Sequence, residues 1–489
     1  MELSAKASLV AVDLGAQSCR VSLLRWKQSV PHIEVVHRFS NAPVSTESGL
    51  RWDMRRIVDG VKNGLRLCAE AAPEGILSIA VDGWAVDYVR LQSDGRPLEN
   101  PFCHRDERTV RATEKVHGLL KPDRLYALTG IQILGLNTLY QLYADKLAGI
   151  DQRLPWLNIP EYVTFFLGGR PVSEYTNATH TQLVRLGTTE WCEEIFQATG
   201  LEKAAAPEIV PTGTCVGELS GSLSALPALC GTKLIVPACH DTASAIAAIP
   251  ATGKDWAFIS SGTWSLVGTV LDTPCVTPEA RDMNFTNLGG VWGTICFLKN
   301  VNGMWLLRQC MDEWESAGRF SSWEDLIRQC ASLPQPRALI DVDNPQLMLP
   351  GNMLAKINTQ LKHAGHETFS ADNSSSPLLA NMIFHSLARR YADVLTAMAR
   401  ITGKKFKRLF IVGGGSQNAF LNCLTAQYSG IEVVTGSSES ATIGNFAIQM
   451  AALQNNENSS RGVTADLVAR FAASIVFDPA PPLRDRGTD

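Results

Sequence analysis

The chain has 489 residues, 45% hydrophobic and 19% charged, which is too long for one ordinary core and excludes a disordered or fibrous protein. Its 44 Lys and Arg against 48 Asp and Glu leave a formal charge of −4. The short basic stretches 51–56 and 404–408 read as solvated faces, so no nucleic-acid partner is expected.

A buried strand is expected at 8–14, a second at 19–26 after a Gly-containing turn, and a third at 33–39. Asp13 interrupts this first apolar run and no cationic head precedes it, so export is not expected. Apolar residues at Ile57, Val61, Leu65 and Cys68 keep helical period over 54–71, and a strand returns at 76–81. Hairpin strands, then helix, then strand is the order of a ribonuclease-H-like lobe, not of a βαβ nucleotide fold. The longest uncharged segment, 125–144, carries Gln132, Asn137 and Gln141, too polar a set for lipid. The expectation is a cytoplasmic protein with no membrane partner.

Strand, turn and strand recur at 256–260, 261–263 and 264–270, where a duplicated lobe should begin. Helical pattern follows at 303–315 and 378–401, with a polar surface loop at 363–377 between them. A strand at 408–412 and a Gly-rich turn at 413–415 come next, and the tail from Pro479 is expected to fray. Twelve cysteines occur without a C-x-x-C pair. Single ones in apolar runs, such as Cys68 and Cys296, read as small buried hydrophobes in a reducing compartment.

Four segments carry candidate chemistry. In Asp13-Leu14-Gly15-Ala16-Gln17, the glycine permits a tight turn whose amides can face an anion, and the acidic residue can hold magnesium; a plain hairpin reads equally well. Ser260-Ser261-Gly262-Thr263 is a second such turn, although Ser-rich turns are common without a ligand. Gly413-Gly414-Gly415 removes side-chain bulk where a base or ribose could lie against backbone. It lacks the third glycine of the dinucleotide fingerprint, and the chain has no Walker A loop. His240-Asp241-Thr242 precedes a run of small residues, so Asp241 is either a helix N-cap or a carboxylate placed to accept a hydroxyl proton, with His240 beside it.

Taken in order, these segments resemble the FGGY family of carbohydrate kinases over nearly the whole chain. Further matches are Val81-Asp82-Gly83-Trp84-Ala85-Val86-Asp87, Asn137-Thr138-Leu139-Tyr140-Gln141-Leu142, Glu174-Tyr175-Thr176-Asn177-Ala178-Thr179 and Leu298-Lys299-Asn300. The resemblance implies two ribonuclease-H-like, actin-like ATPase lobes around a central cleft, with boundaries at 1–246, 247–455 and an extension at 456–489. It implies ATP and Mg2+ as cofactors and a small ketose as partner, nearest to the branch that phosphorylates L-rhamnulose at O1. Asp13, Leu14, Gly15, Ala16 and Gln17 would meet the phosphates, with Asp13 on the metal. Thr263, Asn300, Arg308, Gly413, Gly414 and Gly415 would contact the nucleotide. Trp84, Ala85 and His240 would line the sugar pocket, Asn137 and Thr138 would approach it, and Asp241 would be the base.

Three features depart from the pattern of that branch. Gly83 and Ala85 stand where Asp-Thr-Trp-Gly is usual, Cys19 stands where Gly is common, and Arg308 replaces a frequent Gln. A methyl at Ala85 leaves a kinase for L-fuculose or a ribulose open, since one methyl in a tight pocket is worth about 1–3 kcal/mol of discrimination. The same architecture serves actin-like filaments and Hsp70-type chaperones, because fold alone does not decide function. No second long β-rich segment follows residue 455, which disfavours the chaperone.

Overall fold

The computed structural model describes residues 8–316, 318, 322–349, 351–370, 376–454, 471 and 476–477. The serine run of the expected polar loop (371–375), the tail from Pro479 and most of the expected extension at 456–489 lie outside the described residues.

Ser8–Leu14 is buried at every position. Its alternate side chains enter two different cores, as a strand covered on both faces requires. Val10, Val12 and Leu14 join Ile57, Val61 and Leu65 of the helix Met54–Ala71, whereas Leu9 and Ala11 join Phe446 and Met450 of the helix Ser440–Gln454. The first of these helices starts where Asp53 accepts a hydrogen bond from the Arg56 amide, the usual N-cap arrangement.

The sheet runs Cys215–Glu218, Lys233–Ile235, Ile76–Gly83, Ser8–Leu14, Ser18–Lys27, Val30–Ser40, with Val476–Phe477 at the edge. Ser8–Leu14 is antiparallel to Ser18–Lys27 and parallel to Ile76–Gly83. In the second sheet Trp256–Ser261 is likewise antiparallel to Trp264–Leu271 and parallel to Arg408–Val412. That sheet continues through Ile295–Asn302 beyond one of these neighbours and Glu432–Thr435 beyond the other. Two lobes therefore repeat one strand order, the ribonuclease-H-like duplication expected from the two hairpins. In the second, the helix Ser376–Thr402 closes the core, and Tyr391 meets Ser265 hydroxyl to hydroxyl at 2.6 Å.

The compact units are not contiguous in the chain. One comprises Met1–Pro250, Leu271–Phe297 and Ser440–Asp489, the other Ala251–Val270 and Leu298–Glu439. Close packing explains the return of two segments to the first unit. A Cβ on Gly444 would lie 1.8 Å from the Ser244 carbonyl oxygen, so the helix Ser440–Gln454 touches the helix Asp241–Ala247 backbone to backbone. Gly289, from the strand Thr286–Gly289, accepts a similar approach from Tyr175 and donates its N–H to Thr179 at 2.9 Å.

The uncharged stretch 125–144 is broken into Pro122–Thr129 and Thr138–Leu147, and no helix among the described residues is long and apolar enough to cross a membrane. Cys68 and Cys296 are buried thiols. Cys19 belongs to the core strand opposite Leu14 and not to the turn itself.

Candidate active site

Parallel register sets Asp13 beside Asp82 and Leu14 beside Gly83. Gly83 in turn bridges His240, its N–H donating to the Cys239 carbonyl at 2.9 Å. Two carboxyl-terminal strand ends carry Asp13 and Asp82, and the bridge from Gly83 to His240 brings the start of the helix Asp241–Ala247 beside them, at the edge where open α/β sheets place their ligands. Gly83 is required by the sheet itself: a Cβ there would sit 2.7 Å from the Leu14 carbonyl oxygen.

The three carboxyl groups share little compensating charge. Arg20, the cross-strand partner of Asp13, pairs with it at 2.8 Å. Asp82 is fully buried; Asn445 donates to its Oδ2 at 2.8 Å, and its Oδ1 has no hydrogen-bond partner. Burial, then the charge of Asp13, pushes Asp82 well above the usual carboxylate range. Asp241 keeps 34% of its side-chain exposure. The protein around it, and then Asp13, raise its pKa to about 7, the range that suits a general base near neutrality. Carboxylate oxygens are the donors that a hard divalent cation takes, so the chemistry of the residues here fits Mg2+.

Asp241 is the first residue of the helix Asp241–Ala247, and His240 is its cap residue. The N-cap reading of Asp241 is therefore set aside: its carboxylate takes the Thr242 hydroxyl at 3.2 Å.

Beside the triad, Trp84 and Ala85 are buried. Asp87 organises this wall from beneath. Its Oδ2 accepts from Trp52 Nε1 at 2.7 Å, Trp84 Nε1 at 3.0 Å and His104 Nδ1 at 2.8 Å, while Gln141 donates to Oδ1 at 3.0 Å. These donors, His104 foremost among them, outweigh burial and hold Asp87 below the usual carboxylate range. The grouping of Asp87, Cys103 and His104 has metal-ligand proximity, but Asp87 is already saturated by N–H donors. Val86 has φ of 71°, a strained value for a β-branched residue. Its carbonyl is held by the Thr138 hydroxyl at 2.7 Å. Asn137 Nδ2 donates to the Gln132 carbonyl and to Gln182, so Asn137 and Thr138 both buttress the wall.

The first turn is built for backbone contact. A Cβ on Gly15 would lie 2.5 Å from the Ser18 carbonyl oxygen, and Asn41 latches the turn through the Gly15 and Gln17 carbonyls. Leu14 is core, Ala16 packs against it and Gln17 is exposed. In the second unit, the three glycines divide their work. A Cβ on Gly413 would lie 2.8 Å from the Ser261 carbonyl oxygen and one on Gly415 2.0 Å from its hydroxyl, whereas nothing stands within 4 Å of Gly414. Only Gly414 leaves open room; its neighbours let two turns pack together. The Thr263 carbonyl accepts the Trp305 N–H at 3.1 Å. Asn300 lies on the strand Ile295–Asn302. Arg308 is half-exposed on the helix Trp305–Ser316, paired with Asp312 at 2.7 Å and Glu315 at 3.4 Å.

Models of the FGGY family of carbohydrate kinases match the N-terminal domain over residues 8–248 and the C-terminal domain over 257–453. The chain belongs to the FGGY family of carbohydrate kinases. A rhamnulokinase of Klebsiella pneumoniae is 37% identical over 483 residues, covering 96% of this chain and 94% of its own. One of Bacteroides thetaiotaomicron is 36% identical over 449 residues, covering 91% and 90%. Among solved structures, the ligand-bound xylulose kinase of Lactobacillus acidophilus superposes with a TM-score of 0.77 at 17% identity, covering 95% of this chain and 92% of that one. The glycerol kinase of Plasmodium falciparum with ADP gives 0.73 at 11%, covering 96% and 94%. At such identities these two establish the FGGY fold alone.

Several residues of this FGGY site were not singled out from sequence. Asp82 repeats the pattern of Asp13, an apolar strand ending in Asp, and hairpin register around Gly15 pairs Arg20 with Asp13; both signals are local. Asp87 lay inside a quoted segment without a role. His180 and Asn445 have no local signature.

Proposed function

We propose that the protein transfers the γ-phosphoryl group of ATP to the O1 hydroxyl of L-rhamnulose. The observation that carries this reading is the set of three carboxyl groups, Asp13 and Asp82 in parallel register and Asp241 next to His240, which bridges Gly83. Trp84, Ala85 and His240 hold the ketose. Asp241 accepts the hydroxyl proton as the oxygen bonds to the γ-phosphorus, the bond to the β-phosphate oxygen breaks, and ADP leaves. The amides of the Asp13–Gln17 turn face the phosphates, and Thr263, Asn300 and the open backbone at Gly414 serve the nucleotide. Arg308 already has two carboxylate partners, so its contribution to the nucleotide is small. Asp13 would hold Mg2+, whose charge would offset that on the transferring group.

ADP release measured against L-rhamnulose, L-fuculose and ribulose, compared by kcat/KM, tests the substrate. L-rhamnulose should lead; a higher value for another ketose would overturn the choice of sugar while leaving the chemistry. Asp241→Asn should lower kcat by about 10²–10⁴-fold, the usual worth of a general base, with ATP binding retained. Near-normal turnover in that variant sinks the base assignment.

A further inference from the structure

The segment 174–179 was singled out in sequence, yet the reaction gives it no chemistry. The fold puts it directly under the catalytic turn. Glu174 caps the short helix Tyr175–His180, and its fully buried carboxylate gathers four donors. Oε2 accepts from the Thr176 N–H at 3.0 Å, the Thr176 hydroxyl at 2.5 Å and the Cys239 N–H at 2.9 Å, while Oε1 accepts from the Thr212 hydroxyl at 2.5 Å. The Thr176 oxygen in turn stands 3.4 Å from the His240 N–H. Backbone amides just ahead of Asp241 are thereby tied to one helical turn.

The same turn ends on His180, whose ring meets that of His240 edge to face with centroids 4.0 Å apart. His180 Nε2 lies 3.0 Å from His240 Nδ1, and His240 Nε2 faces Asp241 Oδ1 at 3.5 Å. Burial pushes His180 down to about 3 and, with His180 beside it, holds His240 well below the ordinary imidazole range. Both rings are therefore neutral, and each carries one N–H. In its ionised form, the form that acts as base, Asp241 draws the His240 proton to the nearer nitrogen, Nε2, 3.5 Å away; Nδ1 is then a lone pair, and His180 Nε2 at 3.0 Å donates to it.

We infer that His180 is a positioning residue for the reaction: its N–H to His240 Nδ1 holds that ring in the Nε2–H tautomer, presenting a donor to the ketose next to Asp241. The inference rests on the roles proposed for His240 and Asp241. A tautomer-setting hydrogen bond acts on the sugar side and leaves nucleotide binding alone.

Two variants separate the hydrogen bond from packing. His180→Phe keeps a ring face and deletes the donor; His180→Gln keeps a donor. His180→Phe should lower kcat/KM for the ketose by about tenfold or more, the worth of one buried hydrogen bond whose partner is left unmatched. The KM for ATP should stay within about twofold, and His180→Gln should recover most of the loss. Ketose kinetics unchanged in His180→Phe, a KM for ATP that rises in step with that for the ketose, or a Gln variant no better than Phe would each overturn it. Imidazole nitrogen NMR of the unaltered protein covers the case in which the Phe variant does not fold: His240 protonated at Nε2 supports the inference, and protonation at Nδ1 defeats it. Asp241→Asn in the same assay isolates the underlying reading. Activity there refutes the base, whereas an inactive Asp241→Asn with a normal His180→Phe refutes only the role of His180.

Discussion

Two hairpins of this chain have one topology and opposite chemistry. Where the first lobe sets Asp13 between Arg20 and Asp82, the second sets Ser260 between Leu266 and Val412 at the matching register. The first therefore concentrates charge at its strand ends, and the second is neutral and provides space. Its turns press together, Ser261 against Gly413 and Gly415, leaving Gly414 open. A duplicated fold fixes where ligands can bind; the residue at one strand-end position decides whether that place handles charge or shape.

The contrast is sharpest if the residues are exchanged. Asp13→Ser, which imports the second lobe's residue, should cost about 10²–10³-fold in kcat, as loss of one preorganised electrostatic group does. ADP release measures it, and a thermal melt confirms that the fold survives; a loss under tenfold would erase the distinction between the lobes. Next in size is a stability effect on the neutral side. Gly415→Ala drives a methyl into Ser261 and should destabilise the protein by about 1–3 kcal/mol in denaturant unfolding. Gly414→Ala should change stability by less than about 0.5 kcal/mol and act instead on the KM for ATP. Equal stability losses would mean that Gly414 has no open face.

Titration probes the charged side directly. In metal-free protein, carboxyl carbon NMR should place the Asp241 midpoint near 7, and added Mg2+ should lower it, since a cation favours the ionised form. The raised value also carries a sign for stability. The folded state holds a proton that the unfolded chain releases, so this group's contribution falls as pH rises from about 4 to 7. A midpoint in the ordinary Asp range would remove the electrostatic basis of the triad. The smallest effect is expected at Arg308: its pairs are exposed, so Arg308→Gln should shift stability by less than about 1 kcal/mol and leave the KM for ATP within twofold. A large rise in that KM would return Arg308 to the nucleotide.

Local pattern carried much of this far. The continuous apolar run of 8–14, the helical period of 54–71 and the strand at 408–412 are readable because one short window contains their whole cause. The repeat of strand, turn and strand was visible for the same reason. Asp241 as a cap was a sound local expectation, and it lost because the helix begins one residue earlier than its side chain would need. Asn137 and Thr138 were drawn toward the sugar by resemblance; what the sequence does not show is that buried polar groups seek partners, which the Thr138 hydroxyl finds in the Val86 carbonyl and Asn137 Nδ2 in Gln182.

By itself, then, the sequence determined the two hairpins, the acidic and the glycine-rich turns and their order, since turn chemistry and periodicity act over a few residues. Tertiary structure alone decided that Asp82 joins Asp13, that Asn445 reaches Asp82 from 363 positions away, and that His180 sits on His240. Strand register and helix packing create those contacts. A carboxylate's charge, or an imidazole's tautomer, depends on neighbours that no local window contains.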